Sequence, residues 1–480
     1  LAMTRKWPGP CLIKNVEIAG FNYGIAVNNA TYGVTLEHIV LENQQVAGII
    51  NNNNVLAIRG LVSVNSVPAV LNTGDRGLIN LLDSRLTMGS PSASAIENDA
   101  GELFARNIRT TGYLSALRHR GTIIPGASIN EFVSGPILSL FASPQQSLGL
   151  PIEDTPEFVR DSLSDSVSVV EFGAVPNDSS VDNLAAFQAA IDSGATTVYV
   201  PSRSKYLISD TLLLRGNLRR FDLMGSWLGA TVRNNFDGIK PLIRTGPGTQ
   251  PVILVERVGG YWDIRALTQP GFAIEHAATN TLVIRDGGSA CRNVVGSGPI
   301  FLENIGTGGL PSVFNFINVW VRQLNPESPT VALGSYVINN GSKLWVLGLK
   351  TERPNTVIKT LGGGKTELLG GFLYPVDQVP PTLPAFINEE SSHSLSYVTH
   401  GQDDYQVHVE EIQDGTTRQL LKENVEPRGL ASMIPLYSGY KQGVIAPSNS
   451  GFLKAVVTVT IAGGIIGLIL NHLRGGESEK

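Results

Sequence analysis

Short apolar runs recur along the first 120 residues at a nearly constant interval. They begin at Leu12, Val34, Val55, Leu78 and Leu103, so the starts step by about 21–25 residues. Within a run, apolar residues alternate as a strand requires, but with a slip. Val34 and Leu36 keep a period of two, and Ile39 and Leu41 resume it one residue late. Each interval carries a second short apolar piece: Gly24–Val27, Ala47–Ile50, Ala69–Leu71 and Ser94–Ile96. Asparagine follows each of them, at Asn28, at Asn51–Asn54, at Asn72 and at Asn98. Asn tolerates the left-handed turn conformation. Two or three short strands per interval, closed by Asn/Gly turns, predict a parallel β-solenoid with coils stacked about 4.8 Å apart. The Asn51–Asn54 run reads first as turn chemistry, and a side-chain ladder between coils is the alternative.

Composition agrees with many strands and turns. Charged residues are only 16% of the 480, while Gly and Pro number 52 and 27. With 42% hydrophobic residues, the chain is not globally disordered. Lys and Arg total 36 against 41 Asp and Glu, a net charge of −5, which argues against a nucleic-acid binder that neutralises phosphates. Cys11 and Cys291 make neither a disulfide framework nor a four-ligand zinc site. The seven histidines show no zinc-protease spacing, and no metal or cofactor is expected. His393, His400 and His408 are expected to be solvated loop residues.

The chain divides by composition. Residues 1–145 are expected to be the C-terminal part of a first β-helix. Residues 146–167, rich in Pro, Ser and acidic side chains, read as a linker. Residues 168–400 read as a second β-helix with an N-terminal capping helix, and 401–450 as an irregular polar extension. Val169–Phe172 is expected to be a strand. Asp182 is placed to cap a helix over about 183–193, with Leu184, Phe187 and Ile191 on one face and Gly194 ending it. Solenoids need such a cap, because an end coil otherwise exposes apolar side chains and strand edges. In the tail, 451–480, Ala455–Leu470 is sixteen residues without a charge. A spanning helix takes about 20, so the tail is a candidate membrane anchor, with a buried strand as the alternative. The opening at Leu1 reads as the middle of a unit, so the first β-helix is expected to be incomplete at its N-terminus.

Phe172–Asp178, the helix after Asp182 and Val198–Pro201 resemble the opening of right-handed β-helices of the pectate-lyase superfamily. Strand repeats on both sides of that opening resemble the tandem β-helix exo-β-1,3-glucanases, glycoside hydrolase family 55. The resemblance implies an all-β fold of two right-handed parallel β-helices side by side, with the active cleft between them. It implies an inverting hydrolysis of β-1,3-linked glucan outside the cell or at its surface. The stretch Trp345-x-x-Gly348-x-x-x-Glu352 matches the family's segment in which the Glu is the general acid, so the resemblance assigns that role to Glu352. The family often has His after that Glu, where this chain has Arg353.

From the residues themselves, Glu352 follows a strand and precedes the bend at Pro354. A carboxylate there can have a raised pKa and donate a proton. Trp320 is a candidate to stack on a sugar, and Arg322, Gln323 and Asn325 to hydrogen-bond its hydroxyls. Tyr374 is a further stacking candidate. Glu367 is read as structural. Asp75, Glu97 and Asp99 have no spacing that singles them out, and the second catalytic group is not identifiable. The expected partner is a polysaccharide. The alternatives are a non-catalytic glycan-binding or adhesion β-helix and a polysaccharide lyase.

Overall fold

The computed structural model describes residues 3–5, 10–28, 32–159, 162–230, 240–259, 273–307, 310–327, 334–401, 404–441, 460, 461, 464 and 465. They form a mostly-β solenoid of about 16 turns, built as two stacks. In the first stack, Cys11–Ala19, Gly33–Glu42, Val55–Arg59, Leu78–Thr87 and Glu102–Thr110 pair in parallel, each one coil after the last. A second sheet of shorter strands, including Ala47–Asn51 and Ser94–Asn98, forms another wall. The second stack repeats this on a larger scale, with sheets of twelve and ten strands. Its longest strands run through Asn318–Pro326, Lys343–Thr351, Lys365–Leu373 and Ser392–His400.

The slip in apolar alternation has a backbone cause. In the first stack, Asn15, His38, Gly60, Asp83 and Asn107 all have positive φ, between +48° and +67°. In the second, Asp286, Asn304, Gln323, Gly348 and Gly370 also have positive φ, between +51° and +87°. Strand partners on either side stay in register, Lys14 with Glu37 and Val16 with Ile39, so the left-handed residues stack coil upon coil. Each such residue turns the strand through a corner and shifts the inward-facing set by one. Asn, Asp and Gly populate most of these corners because they adopt that conformation at low cost.

The second stack starts with Ser166–Ser168, so the last residues of the expected linker already belong to a strand. Val169–Phe172 is a 3₁₀ turn rather than a strand, because Ser168 and Glu171 form a capping box. The α-helix is Leu184–Asp192. Asp182 accepts from the Leu184 N–H at 3.1 Å, and Gly194 follows the helix at φ +90°. Phe187 is buried edge-on against Tyr206 and Phe221, closing the stack. At the other end the expected irregular extension is regular. Val407–Gln413 continues one wall, Thr416–Leu421 folds back on it, and Ala431–Gly439 runs antiparallel along Ser392–His400. Antiparallel strands stop the growing edge. Most of the 451–480 tail lies outside the described residues. No helix among the described residues is long and apolar enough to cross a membrane.

The two stacks lie side by side, with their long-stranded sheets facing each other. Alternate residues of those strands point into their own core or across the seam, so Lys343–Thr351 is buried on both faces after its first residue. Ala57, Leu82 and Phe104 from the first stack meet Phe301, Trp320, Trp345, Leu347 and Leu369 from the second. Residues 147–159 are not a loose connection but a strap laid in this seam. Leu148 N–H donates to Ser394 Oγ at 3.1 Å, and Gly149 N–H donates to Glu367 at 2.9 Å. Pro151 O accepts from Trp320 at 2.9 Å, and Thr155 donates to Glu303 at 2.5 Å. These partners come in reverse chain order, so the strap carries the chain back along the second stack to its first coil.

Buried histidines limit this fold in acid. His393 and His408, expected in solvent, are 1% and 0% exposed, and burial pushes both pKa values down to about 3. Burial likewise takes His276 down to about 4. The unfolded value is about 6.5. The stability these groups contribute is therefore complete above that pH and lost as pH falls toward the folded values. Melting temperature should drop across that window. Replacing both His393 and His408 by Phe, which does not titrate, should flatten the drop.

Candidate functional site

The strand corner separates two environments. Residues before it face the strap, and residues after it lead to the open mouth of the seam. Three of the expected sugar-binding residues fall at or before the corner, and their burial corrects that expectation. Trp320 is 4% exposed, stacked on Phe301 at 4.7 Å and hydrogen-bonded to the strap. Arg322 is fully buried, donates to both oxygens of Glu37 at 3.1 Å and lies 5.2 Å from the Trp345 ring centroid. Gln323, a corner residue, is 2% exposed and accepts from Thr35 Oγ1 at 2.8 Å. Their alternation is seam packing. A cavity beside Trp320, Trp345, Asn318 and Lys343 has about 40 Å³, which suits a water and not a sugar.

Seam chemistry is mostly ion pairing. Fully buried Glu37 touches Lys14 at 3.2 Å, Arg59 at 2.8 Å and Arg322 at 3.1 Å. Burial pushes its pKa up, and the cations outweigh that and hold it below the usual range. Glu367 sits in the seam as a structural residue, bound at both oxygens by Arg106 at 2.7 and 3.0 Å. Glu37, His38 and Asp154 offer ligand atoms within 4.8 Å of one another. Arg59 already binds both carboxylates, so a metal would have to displace a cation. The Cys291 thiol is buried in the second core and pushed up to about 12, so it is unreactive at neutral pH.

Beyond the corner the register builds a column. Lys350 pairs with Phe372, and Thr351 with Leu373, which pairs with Thr399. The next position outward therefore stacks Glu352, Tyr374 and His400, and Glu327 precedes them by one coil. At about 4.8 Å per coil, the column runs about 14 Å along the mouth. Glu352 has about a third of its side chain exposed. Half-buried Tyr374 lies nearly parallel to Phe372, 7° off at 6.0 Å, and 5.8 Å from the His400 ring. Asn325 is half-buried two residues inward, level with Lys350 and on the same side of the corner.

Glu352 is tied on three sides. Nearly buried Lys350 forms an ion pair with it and a second one with Glu327 at 2.6 Å. Tyr32, from the first stack, donates its hydroxyl to Glu352 Oε1 at 2.9 Å. Arg353 is turned to Asp377, yet its charge still reaches Glu352. Burial raises the Glu352 pKa, but Lys350, Tyr32 and Arg353 together outweigh it and hold the carboxyl below its ordinary value. This corrects the expectation of a raised pKa. Sequence reasoning named Glu352 and Tyr374 as candidates and did not name Tyr32 or Lys350. Lys350 could have been suspected, because alternation beyond Gly348 points it to the Glu352 side.

No protein-family model matches the chain, and no curated protein matches it. Among solved structures it matches sacteLam55A from Streptomyces sp. SirexAA-E. The match has a TM-score of 0.26 at 11% identity and covers 86% of this chain and 91% of that one. It is a distant match.

Because Arg322 and Glu37 are buried partners, Arg322→Ala should destabilise the seam by about 3–5 kcal/mol. Trp320→Ala should cost a similar amount, about 3–5 kcal/mol. Thermal melts should show the loss, and hydrogen exchange should show new exposure in the strap at residues 148–155.

Proposed function

We propose that this is a carbohydrate-active protein that hydrolyses β-1,3-linked glucan at the seam mouth, with Glu352 as general acid. The observation that carries the reading is the column of Glu327, Glu352, Tyr374 and His400 beside Tyr32. A partly exposed carboxyl, the group that glycoside hydrolysis uses as general acid, stands in line with aromatic faces on which a sugar can pack. The same reading gives the protein a polysaccharide partner and a place at the cell surface or outside the cell.

In the reaction, protonated Glu352 gives its proton to the glycosidic oxygen as the bond to the anomeric carbon breaks. Water attacks that carbon from the opposite face, and an inverting reaction needs a general base there to take its proton. Glu327 is not that base in an inverting reaction. It shares one ammonium with Glu352, whereas inverting carboxyls stand about 6.5–9.5 Å apart to hold a water between them. Tyr374 offers a ring face to the sugar, and Asn325 offers an amide.

Acidity follows from the ion pair. With its pKa below the ordinary range, Glu352 is ionised at neutral pH, and its acid form grows as pH falls. Hydrolysis should therefore rise toward acid pH. Lys350→Met removes the nearest cation and should move that rise to higher pH. A second reading, glycan binding without cleavage, is favoured by the same ion pair, because an ionised Glu352 accepts hydrogen bonds from sugar hydroxyls.

Reducing-sugar release decides between them, with soluble β-1,3-glucan as substrate and pectin and a β-1,4-glucan as controls. We expect release from the β-1,3-glucan only, falling by about 10²–10⁴-fold in Glu352→Gln. Undiminished release in that variant would remove Glu352 from the mechanism. Binding without release at any pH would favour the second reading.

A further inference from the structure

We infer that Tyr32 of the first stack is a positioning residue that reaches across the seam and, beside Lys350, favours the ionised form of Glu352. The inference rests on the assignment of Glu352 to the site. Its starting point is the Asn51–Asn54 turn, whose role the proposed function leaves open. Fully buried Asn54 is locked in place. Its N–H donates to Asn51 Oδ1 at 3.2 Å, and its amide donates to Asn52 O at 2.8 Å and Val27 O at 3.3 Å. Asn54 Oδ1 accepts from the Tyr32 N–H at 3.2 Å, and Val55 N–H donates to Tyr32 O at 2.8 Å. The Tyr32 backbone is thus fixed on both sides. Its ring packs on Phe372 at 5.6 Å, and the Lys350 ammonium lies 5.5 Å from its centroid. The ring thus already lies against the opposite stack, and its hydroxyl meets Glu352 there at 2.9 Å.

That bond has a direction. A phenol donates more strongly to a carboxylate than to a carboxylic acid. The bond is weak while Glu352 holds its proton and strengthens as the proton leaves, which is where a general acid needs support. The other charged or titratable groups that face Glu352 are Lys350 on its own strand, Glu327 through Lys350, and Arg353 with its partner Asp377. Tyr374 and His400 follow in the column, and Arg76 acts on His400 from the first stack.

The test is a carboxyl ¹³C NMR titration of Glu352 in the full chain, with Glu352→Gln identifying the resonance. Tyr32→Phe keeps the ring on Phe372 and removes the donor, and it should move the midpoint up by about one pH unit. 3-Fluorotyrosine at position 32, a stronger donor of nearly the same shape, should move it down. Tyr113→Phe is the control. It removes another hydroxyl of the first stack, bound to Asn65 O and Val67 O at 2.9 Å, and should leave the midpoint unchanged. An unchanged midpoint in Tyr32→Phe, or an equal shift in Tyr113→Phe, overturns the inference. Sugar release is scored separately. A shifted midpoint with no release in any variant removes the hydrolase reading and leaves the effect of Tyr32 on Glu352 standing.

Discussion

Glu37 has no contact with water, and its charge must be answered inside the protein. Cations from three strands do so: Lys14 and Arg59 from its own stack, and Arg322 from the other. Removing any partner of such a buried group costs far more than a surface pair is worth. The seam therefore has one docking position, because Arg322 meets Glu37 only when the two stacks are set at this offset. Lys14 with Glu303 and Arg106 with Glu367 repeat the lock at other coils. The strap fills what remains between the stacks, and its backbone groups meet Trp320, Glu367 and Ser394.

The strand corner sets the candidate site apart from this locked seam. Before the corner, polar side chains are consumed by packing. After it, the same strands end at an open edge, where coil stacking aligns Glu327, Glu352, Tyr374 and His400. Gly348 allows the two stacks to approach at one such corner. A Cβ there would collide with Thr35 Oγ1 across the seam, and the residue also has φ +77°. The position of Glu352 against Tyr32 thus depends on contacts made several residues earlier in the strand.

Much of the fold was legible because solenoids are nearly one-dimensional and every coil repeats the same demands. The step between apolar runs gave the coil length, and the slip between Leu36 and Ile39 marked the corner at His38. Asn51, Asn72 and Asn98 do form a ladder, linked at 3.0 and 2.8 Å. Hidden from sequence was which outer face the second stack would cover. Trp320 and Arg322 show the pattern of a half-exposed strand, and only docking buries their outward side. The strap was misjudged for a similar reason, since its Pro and Ser composition suits either a free linker or an extended segment held by side chains. Glu352 was legible as a strand-end carboxylate, but its acidity was not. Tyr32 lies 320 residues away in sequence, and no local pattern connects them.

The central claim is that the seam between the stacks, at the Glu352 column, is where a glycan is held. A crystal structure with a β-1,3-linked gluco-oligosaccharide tests it most directly. The account predicts sugar density along the column, with a ring against Tyr374 and a glycosidic oxygen within hydrogen-bond reach of Glu352. Sugar bound on an outer wall of either stack, or none at the mouth at saturating concentration, would contradict it.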